Sequence, residues 1–288
     1  MRVIDFHTHP WRPADLAPAA SDFIRSISPA VRAHGDRLSD CRFAAALLRE
    51  QGVDHAVLLP EHCPATSGNV RTDTVLRLAA ESDGFFIPFA SVDPCTDDDP
   101  PRLLDGYLRA GARGLKLYPS YQYFYPNEPR AYALYEVCAQ HGVPVLLHTG
   151  SSVFPGTRLK YCDPIHLDDV AVDFPELAIV MAHGGRGFWY DACAFLATRH
   201  ANVYIDVSGL VPERLPEHYP RLERLAPKLV FGSDWPAMPR TVADNVASLA
   251  RLGLAPAVLR DILEGNARRL LRLPAPPGGD VKQPKGAA

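Results

Sequence analysis

The chain has 288 residues, 47% hydrophobic and 22% charged, with 30 Lys+Arg against 33 Asp+Glu and a formal net charge of -3. That balance describes a globular chain long enough for one large core and excludes disorder, collagen and coiled coil. It carries no basic field or local patch for nucleic acid or an anionic membrane, and no apolar run near the roughly 20 residues of a membrane span.

In chain order, short β-branched and aromatic runs alternate with longer helical periodicity. The first strand is expected at residues 2–7 and leads into His7-Thr8-His9, where alternation points both imidazoles the same way. This polar string comes too soon for a signal peptide, so a cytoplasmic location is expected. Residues 12–39 read as an unusually long loop, suited to a lid or substrate wall. A helix at 40–51 leads to a strand at 56–60, after which Glu61 and His62 are candidates for the site rim or for loop caps. A helix at 72–82, a strand at 85–93 and a helix at 101–110 follow. The fourth strand, 114–118, holds Lys116 between two leucines. Burying an uncompensated ammonium costs several kcal/mol, so Lys116 must reach the open barrel end or meet a negative partner.

Tyr118, Tyr121, Tyr123, Phe124 and Tyr125 cluster after that strand. With Trp11, Trp189 and Trp235 they form either an aromatic wall for a planar or cyclic substrate or, around Tyr123–Tyr125, a patch covered by a second subunit of a homodimer. A helix at 129–141 precedes a strand at 144–148 ending in His148, and a helix at 163–174 precedes a strand at 178–183 ending in His183. Arg186 in the next loop is a candidate partner for a substrate carboxylate, or a solvated loop arginine. A helix at 189–200 leads to a strand at 203–207, where Asp206 is placed to orient a ligating histidine or to make a packing hydrogen bond. The eighth strand, 229–233, runs into Asp234, with helices at 240–252 and 256–273 and a flexible tail at 274–288. The six cysteines form no C-x-x-C pair and read as buried free thiols.

Eight strands with helical crossovers, without a glycine-rich dinucleotide or phosphate loop, favour one α/β domain over residues 1–273 built as a (β/α)8 barrel. In that fold the strand ends converge, so four histidines, a lysine and an aspartate at five of them point to a divalent metal site.

The stretches Ile4-Asp-Phe-His-Thr-His-Pro10, Gly114-Leu-Lys-Leu-Tyr-Pro119, Leu147-His-Thr-Gly150, Ala182-His-Gly-Gly185, Phe231-Gly-Ser-Asp-Trp-Pro236 and Gly265-Asn-Ala-Arg-Arg-Leu270 resemble the amidohydrolase superfamily. The resemblance is to its amidohydrolase-2 branch, which includes aminocarboxymuconate-semialdehyde decarboxylase-like enzymes. It implies a (β/α)8 barrel in which His7, His9 and His148 match metal ligands and Asp234 matches the aspartate that binds metal and moves the proton. Lys116 resembles the carboxylated lysine that bridges two metals in urease and many dihydroorotases, with His148 and His183 on the second ion. In the decarboxylase-like branch one metal is typical and His183 resembles an acid/base. One ion is favoured over two, since the branch resemblance is global and the lysine's is local. Zinc leads and manganese fits the same ligands.

Such an ion lowers the pKa of bound water from 15.7 to about 7 and polarises a carbonyl, Asp234 shuttling the proton and His183 stabilising the oxyanion. The expected activity is hydrolysis of a small cyclic or acidic substrate: a lactone, ester or amide. Alternatives are metal-dependent decarboxylation of an aromatic or enoic acid, a metal-free lactonase, and a silent ligand-binding barrel.

Overall fold

Val145-Leu-Leu-His148 and Ile179-Val-Met-Ala182 are buried along their whole length, the condition of parallel strands enclosed between a barrel interior and a coat of helices. The computed structural model describes residues 1–274. Its strands are β1 (Ile4–Thr8), β2 (His55–Leu58), β3 (Glu61–Cys63), β4 (Gly68–Val70), β5 (Phe86–Pro88), β6 (Leu115–Leu117), β7 (Val145–His148), β8 (Ile179–Ala182), β9 (Val203–Asp206) and β10 (Leu229–Val230). β3 and β4 form a separate antiparallel hairpin. The others are parallel, in the orders β1-β2-β5 and β10-β9-β8-β7-β6.

Backbone bonds span both seams between these groups. Phe6 N–H donates to Phe231 O at 2.8 Å and Thr8 bridges Trp235, while Lys116 N–H donates to Ala90 O at 2.7 Å. The architecture is a (β/α)8 barrel. Ile4, Phe6, Val57, Leu59, Ile87, Phe89, Leu146 and Val180 form one buried cluster, joined by Leu270 at the end of the last helix and Leu271 just after it. The larger cluster lies between strands and surrounding helices.

Between Asp5 and Thr8 the pairing of β1 slips against β2, three steps on β1 facing two from Ala56 to Leu58. A bulge re-aims side chains locally. Here Phe6 stays in the cluster with Ile4 while His7 and His9 face Asp234.

The structure departs from the sequence reading at four points. Residues 12–39 are not a loop: they hold helices Pro18–Ile27 and Pro29–His34, flanked by 3-10 turns Pro13–Asp15 and Gly35–Ser39. Proline opens both helices, Ser28 caps the second by accepting from Val31 N–H at 3.1 Å, and Ala20 and Ile24 are buried. This insertion is tied to the hairpin through Ala17 N–H and Ser67 O at 2.9 Å. The strand expected at 85–93 is regular only over Phe86–Pro88; beyond it Phe89 N–H donates to Leu58 O at 3.1 Å and Ala90 N–H to Gly114 O at 2.8 Å, after which the pairing ends. Cys95 is exposed, the other five cysteines buried. The sequence reading assigned no helix between β9 and β10, where Leu215–His218 and Leu222–Leu225 are helical. The expected tail at 274–288 lies outside the described residues beyond Pro274.

Candidate active site

The carboxyl ends of β1, β7, β8 and β9 and the turn after β10 bring six polar side chains together. His7 and His9 follow from the re-aimed end of β1. Asp234 sits in the turn after β10 with φ +64°, and His183 follows β8 with φ +62°. A left-handed aspartate or histidine is uncommon, and such outliers cluster at functional sites. Asp234 N–H donates to His7 O at 2.8 Å, which seats the carboxylate opposite the imidazoles.

His7 Nε2 lies 3.3 Å from His9 Nε2 and 3.5 Å from Asp234 Oδ1, and His9 Nε2 lies 3.6 Å from the same oxygen. These three ligand atoms fall within 4.8 Å of one another. Burial holds His7 well below the ordinary imidazole pKa, so the ring is neutral at pH 7. Its Nδ1 is 2.6 Å from Asp206 Oδ2. A carboxylate only accepts, so Nδ1 carries the hydrogen and Nε2 presents a bare lone pair toward His9 and Asp234. Two imidazole nitrogens and a carboxylate oxygen around one point are the donor set of a divalent first-row cation, and Asp206 is the outer partner that such a ligand uses.

Asp206 is wholly buried, and burial pushes its carboxyl up to about 6 against the hydrogen bonds of Ser208. Asp5, behind β1, is pushed to about 7 by burial; its Oδ1 accepts from Ser233 N–H at 2.8 Å and His7 N–H at 3.2 Å. It thereby holds the backbone on either side of the seam next to both His7 and Asp234.

His183 is neutral, burial holding its pKa well below the ordinary value. Its Nδ1 is 3.1 Å from Ser208 O, an acceptor-only carbonyl, so Nδ1 carries the hydrogen and Nε2 is a proton acceptor. In this tautomer His183 has an Nε2 hydrogen to give only after taking up a proton. The His148 ring packs 4.7 Å from His183 and 4.9 Å from Tyr121, centroid to centroid, and its buried Nε2 has no hydrogen-bond partner. His148 stands beside the group of three rather than within it.

Lys116 is fully buried, its Nζ without a hydrogen-bond partner and 4.7 Å from the Tyr118 ring centre. Burial pushes the ammonium down to about 8, opposed by the charges of Asp206 and Asp234. Arg186 donates to Ser151 O at 3.0 Å. A Cβ built on Gly209 would stand 2.5 Å from Arg186 Nη1, 3.3 Å from His183 Nδ1 and 3.6 Å from Asp234 Oδ2. Glycine at 209, with φ +68°, therefore lets the guanidinium close on the histidine and the aspartate. Arg186 is half-buried beside His183 and Asp234 rather than facing water alone.

The aromatic candidates divide. Tyr118 and Tyr121 are buried by the site, with the Tyr121 hydroxyl 2.7 Å from Ser152 Oγ. Trp11 and Phe124 are packed in the main core. Trp235 borders a cavity of about 200 Å³ together with the insertion helix residues Pro29, Ala33 and His34. Tyr125 and Trp189 line a surface cleft of about 520 Å³ with Leu159, Lys160 and Phe188, and Tyr123 donates to Gly156 O. His62 is held between Asn69 Oδ1 at 2.7 Å and Asp97 Oδ1 at 3.0 Å, which anchors the hairpin, with Glu61 half-buried beside it. Ser208, Gly209 and Asp5 were given no role from sequence. The -Asp-x-Ser-Gly- spacing after a strand was the available signal.

A family profile described as amidohydrolase matches residues 4–273. A TIM-barrel protein from Bordetella bronchiseptica superposes with a TM-score of 0.77 at 25% identity, covering 94% of this chain and 99% of that one. A probable 2-pyrone-4,6-dicarboxylic acid hydrolase from Acinetobacter baumannii has a TM-score of 0.65 at 18% identity, covering 94% and 100%. A 5-carboxyvanillate decarboxylase from Sphingomonas paucimobilis has 0.62 at 17%, covering 94% and 99%. The last two likenesses are of fold. No curated protein matches the chain.

Proposed function

The chain belongs to the amidohydrolase family, and from that premise we propose that it is a metal-dependent hydrolase of a small cyclic or acidic molecule such as a lactone, ester or amide. The observation that carries this reading is the convergence of His7 Nε2, His9 Nε2 and Asp234 Oδ1 beside a neutral His183 and the Arg186 guanidinium. His7, His9 and Asp234 would hold one divalent ion, zinc or manganese, with His148 closing toward it. When bound, the ion supplies Lewis acidity, polarising a carbonyl and bringing the pKa of water down to about 7.

The chain's own groups then do the rest. Asp234 accepts the proton of the attacking water and returns it to the leaving group. His183, its Nδ1 hydrogen committed to Ser208, offers a second acceptor at Nε2. Arg186 pairs with a substrate carboxylate or with the developing oxyanion, a charge-assisted contact in a site sheltered from water.

Decarboxylation of an aromatic or enoic acid is the second reading, favoured by a guanidinium set against two groups able to relay a proton, Asp234 and His183. In that case Asp234 or His183 first takes a proton from water and passes it to the carbon that loses carbon dioxide. The test is metal content per subunit together with turnover on a panel of lactones, cyclic amides and aromatic acids. One ion with hydrolysis supports the proposal, carbon dioxide release moves it to the second reading, and full turnover without metal defeats both. Asp234→Asn is expected to lose turnover far more than metal content.

A further inference from the structure

Ser208 follows β9 and is wholly buried. Its hydroxyl oxygen lies 2.7 Å from Asp206 Oδ2, 3.0 Å from His7 Nδ1 and 3.0 Å from His183 Nδ1. A hydroxyl has one hydrogen and two lone pairs. The carboxylate only accepts, so the hydrogen goes to Asp206, and the lone pairs share in two three-centre bonds: His7 Nδ1–H is divided between Asp206 Oδ2 and the hydroxyl, and His183 Nδ1–H between Ser208 O and the hydroxyl. The backbone is held by the same residues: Ser208 N–H donates to Asp206 Oδ1 at 2.8 Å, and Ser208 O accepts from His183 Nδ1 at 3.1 Å. Every polar atom of this serine is used by the site.

We propose that Ser208 is a positioning residue that ties His7 and His183 into one unit, so that the single carboxylate of Asp206 orients both rings. The carbonyl of Ser208 alone would keep the hydrogen on His183 Nδ1, but it has no link to Asp206. The hydroxyl provides that link. A Cβ on Gly232 would stand 2.3 Å from Asp206 Oδ1 and 3.0 Å from Ser208 Cβ. Glycines at 209 and 232 therefore allow the unit to close, with His7 on β1, His183 after β8 and the Asp206–Ser208 pair at the end of β9.

The metal arm of the test rests on the reading of His7 as a ligand; the spectroscopic arm does not. Ser208→Ala and Ser208→Cys are made in the full-length protein. Zn²⁺ affinity is measured by competition with a chelating dye, and metal-free, ¹⁵N-histidine-labelled protein is examined by NMR. Outer partners of metal ligands typically contribute ten- to hundred-fold in affinity, so Ser208→Ala is expected to weaken Zn²⁺ binding by about that range. The Nδ1–H signals of His7 and His183 are expected to move together and lose exchange protection. Cysteine, of similar size with a weaker donor and acceptor, is expected to fall between. Zn²⁺ affinity within two-fold of wild type, with both imidazole signals unmoved in Ser208→Ala, overturns the proposal. If wild type takes up no Zn²⁺, the metal reading falls and the nitrogen spectra alone judge the tie. If Ser208→Ala does not fold, Ser208→Cys carries the test, and wild-type imidazole signals in that variant overturn it.

Discussion

Asp206→Asn replaces one oxygen of a fully engaged carboxylate by an amide. Oδ2 receives His7 Nδ1–H at 2.6 Å and the Ser208 hydroxyl at 2.7 Å, and Oδ1 receives Ser208 N–H at 2.8 Å. Asparagine keeps only one accepting oxygen, so whichever way it turns, its NH₂ faces a donor. With the amide toward His7, the imidazole escapes the clash by moving its hydrogen to Nε2, the atom that faces His9 and Asp234. A hydrogen bond to a charged group is worth about 1.5–3 kcal/mol, so forcing the wrong tautomer or losing the bond should cost about that much in binding. At 1.4 kcal/mol per factor of ten, the expected loss of Zn²⁺ affinity is about ten- to hundred-fold. The assay is a chelator competition titration, with circular dichroism to show that the variant is folded. A folded Asp206→Asn protein binding Zn²⁺ within two-fold of wild type would refute the assignment of the His7 tautomer to Asp206.

Arg186→Met is expected to raise KM for a carboxylated substrate at least ten-fold with metal content unchanged; unchanged kinetics would retire Arg186 from the site. Gly184→Ala places a Cβ 2.0 Å from the Tyr219 hydroxyl at φ +52°, and should cost about 2–5 kcal/mol in urea unfolding. A loss under about 1 kcal/mol would show that the turn after His183 relaxes freely. Asp5, raised from 3.8 to about 7 by burial, binds its proton more tightly folded than unfolded. Its contribution to stability is therefore full below about pH 4 and lost as pH rises through about 7. The stability of wild type minus that of Asp5→Asn, both metal-free, should fall across that window; the buried histidines shift oppositely in both proteins and cancel. A difference independent of pH counts against the raised carboxyl.

Much of the barrel was legible because a parallel strand enclosed on both sides must be apolar, so a histidine, lysine or aspartate at its end has no packing reason to be there. His7, His9, His148, His183, Lys116 and Asp234 stand out on that ground alone. The insertion at 12–39 was misread because it falls between the first strand and the helix that follows it, where a connection is expected to be a loop, although Pro18–Ile27 is as long as Cys41–Glu50. The proline starts of its two helices and the Ser28 cap were the signals present. Ser208 escaped notice because a buried serine is unremarkable in a sequence. Its importance lies in partners 25 and 201 residues away.

The sequence by itself determined the alternation of strands and helices, the family to which the chain belongs and the set of polar strand ends, because these follow from local hydrophobic period and residue type. Only the tertiary structure decided which of those ends meet. Closure of the ring puts β1 beside the turn after β10, and a one-residue bulge turns His7 toward Asp234. Through Ser208, Asp206 then reaches two histidines at once. The tautomers of His7 and His183 follow from those contacts, since the hydrogen on an imidazole is placed by the acceptor it faces and that acceptor comes from another strand.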